Sequence, residues 1–289
     1  MKTITGLCAG VCLMFGGCIA MVGQDGQAAD AMGPPKVLLI DREFVKPGKD
    51  GAMHEKSESA FVNAVTAAKW TSHYFAAKSM SGTPRALFFF GYPSFEAWEK
   101  DNKEMEKNPA LGAALDRASV ADGDLLSEFD QGVFVYDPDL SLHTGSIVHA
   151  RYFEISSYKV KPGHRAEFTE LVKLYMKGYA GIANANWATF ESYYGAENGG
   201  LYIAISKMTS LAEDDASMGD DKKFAAAISA GEMSRVRELT ALCIESQQTN
   251  LFAFSPKMSY PDPEWIKADP FWKPKAAAPA AKKPAPATP

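Results

Sequence analysis

The sequence predicts an α+β fold made of two tandem β-α-β-β-α-β units. Three observations predict it. The tetrapeptide VKPG occurs twice, at Val45–Gly48 and Val160–Gly163. Trp70 and Trp187 follow the two copies, and PSFEAW (93–98) falls against TSLAED (209–214). The closing segments VFVYDPDLS (133–141) and LFAFSPKMS (251–259) then align, while the offset drifts only from 115 to 118 residues. A repeat of this length duplicates a domain rather than a solenoid turn.

Each unit opens on a run rich in β-formers, KVLLIDREFV and ARYFEISSYKV. Pro-Gly ends both runs, since proline cannot extend a ladder and glycine permits the turn. A helix follows. In the second unit Phe168, Leu171, Val172, Tyr175, Tyr179 and Ile182 mark one helical face. In the first, Met53, Phe61, Val65 and Ala68 mark a weaker one. Two strands come next, SHYFAAKS with RALFFFGY and ATFESYYG with GLYIAISKM, joined by SGTP and AENGG, which have hairpin chemistry. A helical region then runs from Ser94 to about Glu128 and from Ser210 to about Ser246, broken at Asn108-Pro109 and near Gly219. GVFVY and NLFAF supply the last strands. This order is the ferredoxin-like split βαβ arrangement. Its antiparallel sheet leaves one face bare, and a tandem copy supplies the cover within one chain, a pseudo-dimer.

A strand ending in VKPG, followed by a helix carrying Glu167-Phe168, resembles the dimeric α/β barrel superfamily, with its antibiotic-biosynthesis-monooxygenase-like, NIPSNAP-like and EthD-like families. The resemblance covers about residues 36 to 259. It implies packed sheets with a cavity between them. It also implies a choice of roles: cofactor-free oxygenase, isomerase, heme-binding enzyme or non-catalytic binder, because fold does not choose among functions.

The expected organisation is a leader over 1–31, unit 1 over 36–141, unit 2 over 149–259, an extension over 260–272 and a Pro/Ala/Lys tail over 273–289. The leader has one lysine, an apolar run and then small residues, the layout of a secretory signal. The protein is therefore expected to be exported, periplasmic or extracellular. FGGC offers a second reading, a lipoprotein-type box with lipid on Cys18. Cys243 alone lies outside the leader, too few for a disulfide or a cysteine-based zinc site, and is expected as a buried core thiol. The tail lacks large apolar side chains to offset the entropy of ordering. The chain is 46% hydrophobic with a net charge of -5, which disfavours a nucleic-acid surface. Membrane contact is expected only through the leader or that lipid, and the oligomeric state as monomer or homodimer.

No motif fixes the chemistry or demands catalysis. Alternation divides the first strands. Leu38, Ile40, Arg42 and Phe44, with Phe153, Ile155 and Ser157, are assigned to the helix-covered core. The other parity, with Asp41 and Glu43 in unit 1 and Glu154 and Tyr158 in unit 2, is assigned to the space between the sheets. Tyr193 and Tyr202 join it, and Trp70 and Trp187 are candidate apolar walls of a ligand site. Glu154 and Glu191 form a candidate acid/base pair, because burial and like charge push such pKa values apart. The plainer reading leaves these acids solvated. The five histidines make no HxH or HExxH pattern, so no metal site is expected. His73, on a strand beside Trp70, is the candidate general base or heme ligand. No cofactor is favoured; heme stands as an alternative carried by the resemblance, although the second unit has no histidine after His164. The expected function is small-molecule binding between the sheets, with a cofactor-independent monooxygenase or isomerase as the alternative.

Overall fold

The computed structural model describes residues 32–195 and 200–273. The expected leader with Cys18, most of the hairpin segment AENGG and the tail from residue 274 onward lie outside the described residues.

The first half runs β1 (Val37–Val45), α1 (Ala52–Ala68), β2 (Tyr74–Ser79), β3 (Arg85–Tyr92), α2 (Phe95–Glu106), α3 (Pro109–Gly123) and β4 (Leu126–Leu142). The second half runs β5 (Tyr152–Val160), α4 (Arg165–Tyr179), β6 (Trp187–Tyr194), β7 (Leu201–Met208), α5 (Ala212–Ser217), α6 (Asp220–Ala227), α7 (Ala230–Cys243) and β8 (Ile244–Phe254). A short extension adds α8 (Pro263–Ala268) and a 3-10 turn at Pro270–Trp272.

Local chemistry sets these boundaries. Gly48 and Gly163, the glycines of the repeated VKPG, sit at φ 76 and φ 85, where a Cβ is costly. That is why the motif recurs at the same turn. Asn108 caps α3 by accepting from the Leu111 N–H, with Pro109 opening the helix, so the expected break falls there. Ser229 and Glu232 form a reciprocal capping box that starts α7, adding a break beyond the one near Gly219.

The eight strands close into one antiparallel barrel in the order β1-β3-β2-β8-β5-β7-β6-β4. Two bare sheets laid face to face would leave four edges. Here β2 pairs with β8 through Ala77–Phe254, Lys78–Ala253 and Ser79–Phe252, and β4 pairs with β6, so the edges vanish. The helices lie outside, α1 to α3 against one half and α4 to α7 against the other.

Closure reverses the expected face assignment. Leu38, Ile40, Phe153 and Ile155 point into the barrel and join its core with Leu87, Phe89 and Phe252. Glu43 and Tyr158 face the helices instead, Glu43 bonded to His54 of α1 and Tyr158 packed with Phe168 of α4. The physical reason is that the barrel interior is itself the largest apolar core. The expected face of α1 is met in part: Val65 is buried and Ala68 packs beside it, but Met53 is 49% exposed and the buried first turn carries His54 and Glu58 instead. The face expected for α4 is the one that packs, and Cys243 is buried and free beside Leu239 and Val236.

Candidate functional site at the barrel mouth

Aromatic rings fill the barrel interior in a continuous series. Phe75 stacks on Phe89 at 4.7 Å, Phe89 meets Phe153 edge-on at 5.6 Å, and Phe153 stacks on Phe252 at 5.3 Å. Alternation supplies them, since every second residue of each strand points inward. One end is closed by polar groups: Arg42 pairs with Asp130, and Arg85 donates to Asn250 at 2.7 Å while lying over the Phe252 ring.

The other end opens into a cavity of about 780 Å³. Its deep wall is apolar, built from Leu38, Phe89, Phe153, Phe190, Ile205 and Phe254. Its rim is formed by Pro34–Lys36 before β1, by Thr144 and Gly145 after β4, and by Trp265 of α8. The extension is tied down locally. The Trp272 indole N–H donates to Val148 O at 2.6 Å, and Asp269 accepts from Arg151 at 2.7 Å.

Few polar groups reach this cavity. Lys207 projects from β7, its Nζ donating to Ser146 O at 2.7 Å, and burial lowers its pKa. Asn186 braces the Lys207 backbone from both sides, at 3.0 and 3.1 Å. Among the described residues, His73 is the one histidine of the lining. Its ring lies 4.6 Å from that of Tyr260, and its Nδ1 is buried without a hydrogen-bond partner. An apolar bowl with an ammonium, an imidazole and an amide at its wall can hold a hydrophobic molecule and orient one polar atom of it.

The sequence-derived candidates are dispersed. His73 and Trp187 line this cavity. Glu154, Tyr158 and Tyr202, again with Trp187, line a second cleft of about 500 Å³ between the sheet and the helices α4 and α7. There burial and Asp214 raise the Glu154 pKa, and burial with Glu191 pushes Tyr202 up to about 12. Glu191 is engaged by Arg165 through two bonds of 2.7 and 2.5 Å, so it does not pair with Glu154. Asp41 accepts from Gln131 at 2.6 Å on the outer face, and burial raises its pKa. Glu43 lies under α1 against His54 at 2.9 Å. Trp70 ends α1 beneath Tyr260, which donates to its carbonyl at 2.8 Å. Tyr193 is 59% exposed, its ring tilted against that of Phe95 at 5.4 Å.

Sequence reading missed Lys207, Asn186 and the strand aromatics as one constellation. Inward parity on β7, alternating Ile203, Ile205 and Lys207, was the available signal. It also missed a buried group of Glu43, His54, Glu58 and Asp122, whose donor atoms could hold a metal ion. His54 and Glu58 stand four residues apart on α1 and therefore share a face.

No protein-family model matches the chain, and no curated protein matches it. Among solved structures it is similar to a provisionally named monooxygenase from Fusobacterium nucleatum subsp. nucleatum. That match has a TM-score of 0.50 and 12% identity, over 77% of this chain and 94% of that one. An anthrone oxidase-like protein aligns with a TM-score of 0.48 and 16% identity over 76% and 92%. A chlorite dismutase variant from Candidatus Nitrospira defluvii aligns with a TM-score of 0.46 and 11% identity over 78% and 92%. The first of these likenesses shows the fold alone: a closed, helix-covered α+β barrel.

Proposed function

We propose that the protein binds a small, largely apolar molecule, aromatic rather than aliphatic, in the barrel mouth, with a polar oxygen of the ligand directed to Lys207. One observation carries this reading: a cavity of about 780 Å³ enters an aromatic-walled barrel and meets a desolvated lysine at its side. Sites for small molecules span roughly 300–1,000 Å³ and combine apolar walls with a few placed polar groups. Stacked or edge-on rings favour a planar partner.

Filling the cavity tests it. A fluorescent anilinonaphthalene sulfonate probe is titrated against the full chain and against Phe190→Trp and Ile205→Trp. The expected result is a loss of probe affinity of about tenfold or more in either variant. Equal affinity in all three chains sinks the reading. Lys207→Met should weaken the sulfonate probe and spare a neutral analogue. An absorption spectrum of the purified protein is the companion measurement, since a Soret band would replace this reading with heme binding.

A catalytic reading, as a cofactor-independent monooxygenase or isomerase, draws on the unpartnered Nδ1 of His73 at the wall. A general base there would lose turnover but keep ligand affinity in His73→Gln.

The same reading takes the chain as an exported tandem duplication of a ferredoxin-like unit. Support for duplication is the recurring strand order, β4-β1-β3-β2 beside β8-β5-β7-β6. Support for export is the charged, apolar and small-residue layout of residues 1–31. Intact mass of the protein from its own envelope fraction tests both cleavage and lipid on Cys18.

A further inference from the structure

Beneath α1 and α3 the first half buries four side chains that can each lend an electron pair to a cation. They are Glu43 of β1, His54 and Glu58 of α1, and Asp122 of α3. One donor atom from each lies within 4.8 Å of every other. Glu43 is 8% exposed and the other three are 2% exposed. His54 Nε2 stands 2.9 Å from Glu43 Oε2, 3.6 Å from Asp122 Oδ1 and 3.7 Å from Glu58 Oε1.

Only the contact with Glu43 is a hydrogen bond. Glu58 Oε1 and Asp122 Oδ1 are buried and have no hydrogen-bond partner. Both orphaned oxygens flank the same imidazole nitrogen. The Tyr74 hydroxyl, packed under the same helices, is also buried without a partner. Natural interiors keep few such groups, because an unpartnered buried carboxylate oxygen is costly.

We propose that Glu43, His54, Glu58 and Asp122 form a four-ligand site for a divalent first-row metal ion, with Glu58 Oε1 and Asp122 Oδ1 as two of its ligands. The distances from His54 Nε2 suit one coordination sphere, since ligands about 2.0–2.2 Å from a common ion stand roughly 3–4 Å apart, and small side-chain shifts would gather the rest. Three carboxylates and one imidazole suit manganese, iron(II) or zinc. They do not suit copper(I), which favours sulfur, or calcium, which favours an all-oxygen shell. The ion would take the His54 Nε2 lone pair and the carboxylate oxygens, so binding competes with protons at the site. Four protein ligands in a closed, buried group make the ion structural: it fastens α1 and α3 to β1. The rival occupant is protons, with Glu58 held neutral by burial, by the charges of Glu43 and Asp122, and by a hydrogen bond that its protonated carboxyl would give to Asp122.

The test uses the full chain, purified without chelator or metal-affinity resin. Its metal content is measured, then it is unfolded with chelator and refolded with Mn²⁺, Fe²⁺, Co²⁺ or Zn²⁺ singly, or with none. The expected result is about one ion per chain. A raised Tm with at least one metal and visible absorption in the Co²⁺ form should accompany it. Glu58→Gln and Asp122→Asn should each weaken binding by about tenfold or more. A chain that refolds without an ion and whose Tm none of the four metals moves overturns the proposal in favour of protons. Occupancy unchanged in both folded variants also overturns it, because the ion then sits elsewhere. If the variants do not fold, the wild-type refolding series decides.

Discussion

The two halves of the barrel share a strand order and differ in what lies beneath their helices. In the second half the packed part of that space is apolar, with Phe168, Leu171, Val236, Leu239 and Cys243 together, and its acids, Glu154 among them, line the open cleft beside it. In the first half, Val65, Ala76 and Leu111 share it with the buried Glu43, His54, Glu58 and Asp122. The contrast extends to matching positions. Glu43 stands two residues before Val45 and Tyr158 two residues before Val160. One backbone plan thus accepts two kinds of filling. The apolar filling is stabilised by removal of surface from water. The ionisable filling is tolerated only while its charges are compensated.

That comparison can be broken most sharply by emptying each filling in turn. Phe168→Ala should cost about 3–5 kcal/mol by urea unfolding, through lost transfer energy and a cavity. His54→Ala should cost a similar ~3–5 kcal/mol, because buried Glu43, Glu58 and Asp122 lose the imidazole that stands among them. The two differ in remedy. Added divalent metal should restore part of the loss in His54→Ala, where three carboxylates remain to hold it, and none in Phe168→Ala, and equal rescue of both variants would erase the contrast.

Gly178→Ala comes next. A Cβ there would stand 2.2 Å from the Phe224 ring, so α4 and α6 approach each other through the missing side chain. Overpacking should cost about 1–3 kcal/mol. A neutral effect on Tm would show that the second half yields more readily than its aromatic filling suggests.

Asp269 sharpens the comparison through the extension, whose end is anchored at Val148 and Arg151. Burial by itself would raise its pKa. Bonds from the Phe271 N–H, Arg151 and His149 outweigh that and hold it below the ordinary value of 3.8. A depressed native pKa contributes stability above the unfolded value and loses it as pH falls through the native one. The urea midpoint should therefore fall as pH drops below about 4. Asp269→Asn should flatten that fall and cost about 1–3 kcal/mol at neutral pH. The smallest effect is expected from Arg165→Ala. Its pair with Glu191 is well formed, yet the Arg165 side chain is 68% exposed, so the loss should stay under about 1 kcal/mol.

The repeat made much of this architecture legible. VKPG announced the two strand-to-helix turns because left-handed φ values demand glycine there, and Asn108-Pro109 announced a helix break because its cap is local. The face assignment was not legible. Leu38 and Glu43 lie on opposite faces of β1, and which face turns inward depends on whether sheet edges pair, a long-range fact. His73, expected on a strand, lies just before β2 among aromatics, and its cavity needs Lys207 and Phe190 from the other half. The buried ionisable group needs Asp122, distant in sequence from Glu43 and carried by a helix whose apolar pattern gives no sign of it. An acid at helical spacing on a sheet-facing stripe reads as a pattern error until its partners are seen.

The short β2–β8 ladder has a temporal meaning. β2 forms early in the chain, and β8 is the last strand. Until β8 arrives, β2 presents an unpaired edge. Pairings of this sequence separation slow folding, because loop closure precedes the contacts that reward it. Three ladder pairs then hold that seam, flanked by the Tyr74–Tyr260 bridge and by backbone bonds from Ser255 to Ala76 and from Met80 to Leu251. During synthesis the first half therefore waits, edge bare, for a strand made near the end. A ribosome stalled before β8 would release a chain ready to borrow that strand from a neighbouring copy.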